Sequence, residues 1–329
     1  MFKELYDFDL TVLDEAFGIS CCKVLGDYTN TGSNSKMFNS RIRDRICDLS
    51  KTLAAAESTE EFMKDMVQFY KDFGVGKLGL HKAFRVGHDE NDNVEIQPIT
   101  RIAHVKLEDL VGYEIPKQKL IENTEAFISG KEANNVLLFG DAGTGKSSSV
   151  KAILNEYYGQ GLRMIEVYKH QFKALSEVLE QIKDRNYKFI IYMDDLSFEE
   201  YELEYKYLKA ILEGGLGKRP KNVLIYATSN RRHLIREKFS DKRELDDDLH
   251  NNDTVQEKLS LAARFGVTIY YGSPDKFQFQ GIVKALAEKY HLDMPEEELL
   301  LEANKWEISH GGLSGRTASQ FITHLLGRK

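Results

Sequence analysis

The sequence predicts an α/β protein whose main domain is a doubly wound parallel sheet of five strands, with a mainly helical region before it and a helical domain after it. Three observations lead to this prediction. From about residue 99, short β-prone apolar runs alternate with segments of helical periodicity, which is typical of a parallel sheet with helical crossovers. A glycine-rich stretch joins the first of these runs to the next helix. After Pro274 only helical periodicity remains.

The composition is that of an ordinary globular protein, with 42% hydrophobic and 29% charged residues among 329. The net charge of −7 gives no overall positive field, so charge does not support a nucleic-acid partner, although a local basic patch would be compatible with one. Neither a secretory signal nor a membrane span is expected, because no apolar run has the required length. The three cysteines lack Cys-x-x-Cys spacing, which indicates reduced thiols. We therefore expect a cytoplasmic protein without a membrane partner.

Residues 1–98 are predicted to form the mainly helical region, whose role the sequence does not indicate. Its clearest element is a helix over residues 58–73, where Ser58 and Glu61 have capping-box spacing and apolar residues recur on one face. A polar loop at residues 86–95 is expected to join two strands. The region contains no recognisable repeat, catalytic constellation or metal-ligand cluster.

The α/β domain is predicted over residues 99–272, and a helical lid domain over residues 273–329. The predicted strands are rich in aliphatic and aromatic residues, and helical patterns separate them. An acidic, irregular stretch at residues 240–254 interrupts the fourth crossover. The five predicted strands cover residues 135–139, 163–168, 188–193, 222–228 and 266–271.

The stretch "GDAGTGKS" matches the phosphate-binding pattern G-x-x-x-x-G-K-[ST] and lies between a predicted strand and a predicted helix, as that pattern requires. Its glycines let backbone N–H groups surround phosphates, Lys146 can reach the β- and γ-phosphates, and Ser147 can ligate Mg²⁺. The helix that follows points its positive end at the anion. The structural alternative is a glycine turn without a ligand. The expected nucleotide-binding residues of this glycine-rich loop are Gly140, Asp141, Ala142, Gly143, Thr144, Gly145, Lys146, Ser147 and Ser148.

Two further strands end in polar residues that fit the same site. The run "IIYMDD" delivers Asp194 and Asp195 to a strand end, where Asp194 is expected to hold Mg²⁺. The run "YATSN" places Asn230 at the end of another strand, where an amide can orient a water or contact the γ-phosphate. The alternative role for Asn230 is to cap a helix that begins at Arg231.

With these motifs in this order, the chain resembles the AAA+ ATPases, and in particular a bacterial AAA+ family classed as a domain of unknown function. The resemblance covers about residues 106–329 and includes "AARFG" before the last strand, "LEDLVGYEIPKQKLIENT" before the glycine-rich loop and "GGLSGRTASQF" near the end. It implies that ATP and Mg²⁺ are bound and that ATP is hydrolysed. It also implies a ring or a nucleotide-dependent oligomer.

The resemblance also suggests individual roles. Val111, Gly112 and Tyr113 match the turn that contacts adenine in the family. Arg316 matches an arginine in the lid that senses the nucleotide, and its alternative is an ordinary surface cation. Arg264 matches the arginine finger that acts on ATP in a neighbouring subunit. Its alternatives are a structural ion pair, or replacement in that role by Arg231 or Arg232.

Asp195 departs from the family pattern, because a glutamate usually stands there as the base that polarises the attacking water. Aspartate has the same chemistry with a shorter reach. Glu199 or Glu200 could take its place only if the following turn folds back. We expect slow hydrolysis and not an inactive site, since Asn230, Arg264 and Arg316 all stand where hydrolysis would use them.

Three functions are compatible with these motifs. The first is an ATPase that remodels or assembles an unidentified protein partner, and the second is an initiator- or helicase-loader-like ATPase that acts on nucleic-acid complexes. The third, a small-molecule kinase, is disfavoured because it has no use for an arginine acting in a second subunit. The second strand leads almost directly into a helix at "VYKHQFKALSEVL", which leaves no room for a threading pore loop. We therefore rank a non-threading ATPase with a protein partner first.

Overall fold

A computed structural model of the protein describes residues 1–9, 11–20, 40–73, 76–198, 202, 204–213, 220–231, 234 and 261–328. The predicted acidic stretch at residues 240–254 lies outside these ranges. The chain divides into two compact units, Met1–Leu80 and His81–Lys329.

The first unit is helical in its described residues. Its helices are α1 (Phe2–Tyr6), α2 (Thr11–Phe17), α3 (Ser40–Ala55), α4 (Thr59–Phe73) and α5 (Lys77–Leu80). The predicted helix over residues 58–73 is confirmed in α4, and the Ser58 hydroxyl accepts a hydrogen bond from the Glu61 N–H at 3.2 Å. Tyr6 packs edge-on against Phe62 and donates to the carbonyl of Ala56, which joins α1 to α4.

The second unit is built around a mostly parallel sheet of seven strands. They are β1 (Ala83–His88), β2 (Val94–Pro98), β3 (Val136–Gly140), β4 (Leu162–Glu166), β5 (Lys188–Met193), β6 (Val223–Ser229) and β7 (Val267–Tyr271), in the order β2-β1-β4-β5-β6-β3-β7. All neighbouring strands are parallel except β1 and β2.

The predicted count of five strands is wrong, because an antiparallel hairpin extends the sheet beyond β4. All five predicted strands are present as β3 to β7, and β1 pairs with β4 to add β1 and β2 at that edge. The predicted polar loop at residues 86–95 does join two strands, but those strands belong to the sheet. They lie in the second compact unit, whereas the prediction placed them in the region 1–98. The division of the remainder at residue 272 stays a prediction.

The central strands β5 and β6 are mainly apolar because both of their faces are covered. All seven residues of β6 and five of the six in β5 are buried. One face packs against α6 (Glu114–Ile128) and α7 (Lys146–Tyr157), and shares one hydrophobic core with them. The helices α8 (Leu175–Ile182) and α9 (Glu204–Glu213) complete the crossovers. Since the strands are parallel, the chain leaves β3, β5 and β6 at the same edge of the sheet.

Three helices follow the sheet and form a second hydrophobic core of their own. They are α10 (Lys276–Lys289), α11 (Glu296–Ser309) and α12 (Gly315–Leu326). Asp275 and Ser314 cap the starts of α10 and α12 by accepting hydrogen bonds from backbone N–H groups. Val111 packs against this core from the segment that precedes α6. Among the described residues, no helix is long and apolar enough to cross a membrane.

Candidate functional site

A cavity of about 610 Å³ opens at the edge where β3, β5 and β6 end. Its wall is formed by the glycine-rich loop, the ends of β5 and β6, the segment before α6, and α10 and α12. Ligands in open parallel sheets bind beyond the carboxyl ends of the strands, which is where this cavity lies. The predicted site residues that line it are Val111, Tyr113, Ala142, Gly143, Thr144, Gly145, Lys146, Ser147, Ser148, Asp194, Asp195, Asn230 and Arg316.

Two glycines of the loop occupy positions that no other residue could fill without displacing a neighbour. Gly140 has φ 133°, and a Cβ there would lie 2.1 Å from the carbonyl oxygen of Tyr271. Gly143 has φ 78°, and a Cβ there would lie 3.1 Å from the Cβ of Arg316 and from the Ser314 hydroxyl oxygen. The loop therefore lies directly against β7 on one side and α12 on the other. From it, α7 begins with its N-terminus beside the cavity, a position that favours anions.

Lys146 is buried in the wall of this cavity, with 6% of its surface exposed. Its ammonium donates to the carbonyl oxygens of Gly140 at 2.9 Å and Asp141 at 2.6 Å, and to Oδ1 of Asn230 at 3.1 Å. Burial lowers the pKa of the ammonium, and the nearby carboxylates, Asp141 first among them, oppose this shift. The side chain is less open to the cavity than the sequence suggests, but its contacts are polar and not part of the hydrophobic core.

Asp194 and Ser147 are joined directly and face the cavity together. Oδ1 of Asp194 accepts hydrogen bonds from the Ser147 hydroxyl at 2.7 Å and from the Thr228 hydroxyl at 2.6 Å. Desolvation raises the pKa of this carboxyl, but the hydrogen bonds from Thr228 and Ser147 prevail, so the pKa lies below its ordinary value. The carboxylate is therefore ionised at neutral pH.

This pair fits the requirements of Mg²⁺, which prefers oxygen ligands and commonly binds proteins through one or two of them, with water and substrate phosphate completing its shell. Ser147 supplies a hydroxyl and Asp194 an ionised carboxylate, both at the cavity surface. Within the described part of the chain, no group of three or more His, Cys, Asp or Glu residues is placed to hold a metal ion.

Asp195 turns out of β5 in the left-handed backbone region, with φ 50°. Aspartate and asparagine tolerate this region better than most residues with a side chain. Its N–H donates to the Thr228 hydroxyl at 2.9 Å, and its Oδ1 accepts a hydrogen bond from Nδ2 of Asn230 at 2.8 Å. The turn thus directs the carboxylate of Asp195 towards the end of β6.

Asn230 connects the ammonium of Lys146 to the carboxylate of Asp195. Its Oδ1 accepts from Lys146 while its Nδ2 donates to Asp195. Both halves of the amide are thereby engaged by side chains at the cavity. The N–H of Arg231 donates instead to the hydroxyl of Ser229, at 3.2 Å.

The far side of the cavity, formed by the segment before α6 and by α10, is more apolar. Tyr113 adopts φ 58°, stacks on Tyr271 with ring centroids 5.2 Å apart, and donates to the carbonyl of Gly272 at 2.8 Å. Burial raises the pKa of Tyr113 to about 12, so its hydroxyl keeps its proton at neutral pH. Ile282 and Leu286 of α10 line the same side. This side of the cavity therefore presents an aromatic ring and aliphatic side chains.

The glycine-rich loop is hydrogen-bonded at two points to the segment that carries the C-terminal helices, just before α10 and at the start of α12. Oδ2 of Asp141 accepts from the N–H and the hydroxyl of Ser273, both at 2.8 Å. The N–H of Arg316 donates to the carbonyl of Gly143 at 3.2 Å. Three predicted nucleotide-binding residues do not line the cavity: Gly112, Gly140 and Asp141.

Arg264 is the predicted catalytic residue that does not line the cavity. It lies just before β7, as expected, but its guanidinium is paired with Glu213 of α9, with Nε 2.7 Å from Oε1. Arg231 is exposed near the cavity. Arg232, Glu199 and Glu200 lie outside the described residues.

Thr228 is a site residue that the sequence does not single out. Its hydroxyl donates to the carboxylate of Asp194 and accepts a hydrogen bond from the backbone N–H of Asp195. It lies two residues before Asn230 on β6, so the two side chains share a face of the sheet. This two-residue spacing from Asn230 could have marked Thr228 as a residue of the site. Lys117 is a second such residue: it is buried in the wall and its ammonium donates to the carbonyl of Leu110 at 2.6 Å, which holds the segment before α6 in place.

Comparison with known proteins gives one match over most of the chain and several weaker ones. A family described as "Protein of unknown function (DUF815)" matches residues 80–329. The Replication factor C large subunit of Staphylothermus marinus is 34% identical over 74 residues, which are 22% of this chain and 17% of that protein. The chain therefore spans about a sixth of the length of that curated relative.

Solved structures resemble the chain more broadly and at lower identity. The Thermotoga maritima RuvB Holliday junction branch migration motor has a TM-score of 0.40 at 14% identity, covering 67% of this chain and 72% of that one. The PCH-2 structure of C. elegans has a TM-score of 0.46 at 19% identity, covering 68% and 65% of the two chains.

Proposed function

We propose that this chain, which belongs to the family described as "Protein of unknown function (DUF815)", is an AAA+ ATPase that binds and hydrolyses ATP with Mg²⁺ to remodel or assemble a protein partner without threading it. One observation carries the ATPase part of the proposal. Lys146, Ser147, Asp194, Asp195 and Asn230 come from three strands and meet in one cavity, linked to one another directly or through Thr228. The groups proposed to bind phosphate, the two side chains proposed to bind Mg²⁺ and the proposed general base thus lie in one connected site.

In the proposed reaction, the triphosphate lies along the glycine-rich loop and the N-terminus of α7. The adenine ring lies against the more apolar side of the cavity, beside Tyr113. Lys146 exchanges the carbonyls of Gly140 and Asp141 for phosphate oxygens. Bound Mg²⁺ would offset the charge that develops on the β- and γ-phosphates. Asn230, once released by Lys146, can hold the attacking water, and Asp195 beside it accepts that water's proton. Arg316, at the start of α12, supplies a cation from the opposite wall.

The path of the chain after β4 supports an ATPase that does not thread its substrate. β4 ends at Glu166, and a 3-10 helix begins at Lys169 and continues into α8. Only two residues separate the strand from the helix, which leaves no flexible loop of the kind that grips a threaded chain. The proposed partner is therefore acted on at a surface of the assembly.

A capture experiment tests whether the partner is a protein. It uses an Asp195→Asn variant, which is expected to bind ATP without hydrolysing it. With ATP and Mg²⁺, this variant should retain a protein partner that a Lys146→Ala variant, expected not to bind ATP, does not retain. Nuclease treatment should leave the captured protein in place. If instead capture depends on nucleic acid and is lost on nuclease treatment, the alternative function on nucleic-acid complexes replaces this one. The local match to the Replication factor C large subunit is the observation that favours that alternative.

Self-association into a ring or nucleotide-dependent oligomer is proposed from the position of Arg264, which is remote from its own cavity. Arg264→Ala should bind ATP almost normally and hydrolyse it at least tenfold more slowly, because a charge on the neighbouring site is lost. Mixing it with Lys146→Ala subunits should restore part of the turnover, since each variant supplies the half-site that the other lacks. Turnover per subunit, measured by phosphate release, should also rise with protein concentration.

The control for this experiment is Glu213→Ala, which breaks the same ion pair but keeps the arginine. A partly exposed pair contributes little stability, so the control should fold and retain turnover. If Glu213→Ala and Arg264→Ala lose turnover equally and mixing rescues neither, Arg264 has a structural role. Arg231 and Arg232 would then be put through the same complementation.

A further inference from the structure

The hydroxyl of Tyr192 is a buried donor with no hydrogen-bond partner. Tyr192 lies on β5 with 2% of its surface exposed, and its ring belongs to the core between the sheet and α7. Alternation along a strand places it on the same face as Asp194, two residues further on. A buried polar group without a partner is costly and calls for a physical reason.

The surroundings of this hydroxyl are the polar groups of the proposed metal site. The side chains of Asp194, Ser147 and Thr228 lie around this hydroxyl close enough to contribute to the shift of its pKa, yet none is placed with the distance and angles of a formed hydrogen bond. Oδ1 of Asp194 already accepts from Ser147 and Thr228, but a carboxylate can accept about four hydrogen bonds in all. Acceptor capacity is therefore available next to an unused donor.

The neighbouring strand provides a contrast. Tyr226 of β6 lies directly opposite Tyr192 in the sheet and is buried to the same degree. Its hydroxyl is fully engaged, at 2.8 Å from the Thr124 hydroxyl and 3.2 Å from the Asn123 amide nitrogen. Two tyrosines in matched positions thus differ in one respect: only the one beneath the metal site lacks a partner.

Resting on the proposed binding of Mg²⁺ and ATP, we propose that Tyr192 is a positioning residue whose hydroxyl bonds to Asp194 when the site is loaded. Ser147 and Asp194 are bonded to each other in the structure, so a cation that both of them hold has to alter the bond they share. Tyr192 is the adjacent donor that can then hold the carboxylate in place. Loading the site would satisfy a donor that is otherwise unsatisfied, and this couples the hydroxyl of Tyr192 to metal affinity.

The test is Tyr192→Phe, which removes only the hydroxyl and keeps the ring in the core, with Tyr226→Phe as the matched control. Binding of a non-hydrolysable ATP analogue is measured by calorimetry with EDTA and across a series of Mg²⁺ concentrations, and melting temperature is measured without ligand. For Tyr192→Phe we expect unchanged affinity in EDTA, an unchanged or higher melting temperature, and a Mg²⁺ requirement raised about 2- to 10-fold, the range of one hydrogen bond. Tyr226→Phe should melt lower and keep the parental Mg²⁺ requirement.

Each other outcome contradicts a specific part of the proposal. If Tyr192→Phe has the parental Mg²⁺ requirement, the positioning role is wrong while the proposed function stands. If it melts lower and loses affinity equally with and without Mg²⁺, Tyr192 is a structural residue of the core. If the parent itself binds the analogue with no dependence on Mg²⁺, the proposed metal site fails and this inference fails with it.

Discussion

Replacing Lys146 by alanine is expected to reduce ATP affinity at least a hundredfold, to the point where calorimetry detects no binding at micromolar protein. The ammonium is the one cation of the glycine-rich loop, and charge-assisted bonds to phosphate are among the strongest in proteins. The fold should survive, because the bonds that are lost join Lys146 to two loop carbonyls and to Asn230, all at the cavity. The melting temperature should therefore fall by only a few degrees.

The matched control is Lys119→Ala, which removes the same charge from an exposed position on α6. It should bind ATP like the parent. If Lys146→Ala also binds like the parent, the phosphates do not lie along the glycine-rich loop. If it fails to fold, Lys146→Met, which retains the aliphatic length of the side chain, allows the same affinity comparison.

Replacing Asp195 by asparagine should leave Mg²⁺-dependent ATP binding intact and reduce turnover by a factor of about a hundred or more, since an amide cannot take the proton from water. Asparagine also suits the left-handed backbone at this position, with φ 50°, so the turn after β5 should be preserved. Single-turnover phosphate release and calorimetric binding, measured on the same preparation, separate the two effects.

Asp195→Glu tests whether the short side chain of Asp195 limits the rate of ATP hydrolysis. It should retain turnover, and the longer side chain can bring the carboxylate nearer to the water, although the left-handed turn suits glutamate less well. Parental turnover in Asp195→Asn would show that the base is another residue, and Glu199 is then the next candidate. Loss of ATP binding in Asp195→Asn would instead assign Asp195 to the binding of metal or phosphate.

The parallel strands of the sheet were predictable because the aliphatic and aromatic residues that form each strand follow one another in a short stretch of sequence. Each of β3 to β7 is rich in aliphatic and aromatic residues and is flanked by helical patterns, and β5 and β6, which are buried on both faces, need such a run. The hairpin β1–β2 is different: its residues alternate in burial and include Gly87 and Pro98, so nothing in them marks a sheet strand as opposed to an isolated hairpin. Its pairing with β4 is a long-range contact that no local pattern encodes.

The site was predictable for residues that carry a motif and not for those that act through geometry. Lys146 and Asp194 follow from local spacing alone. Thr228 is one of many threonines until the sheet places its hydroxyl between the carboxylate of Asp194 and the N–H of Asp195. The pairing of Arg264 with Glu213 likewise depends on how α9 meets the chain before β7. Side-chain networks of this kind are properties of tertiary structure.

The contacts between the glycine-rich loop and the segment that follows β7 have a kinetic consequence. Asp141 holds Ser273, and Gly143 is bonded to Arg316, so the loop that would carry the phosphates also anchors α12 as a wall of the cavity. A nucleotide bound between the loop and this wall would be released more readily when the two separate. Residence time would then be governed by how often these few backbone and hydroxyl contacts break, and a partner that pulled on the C-terminal helices would act as a nucleotide-exchange factor.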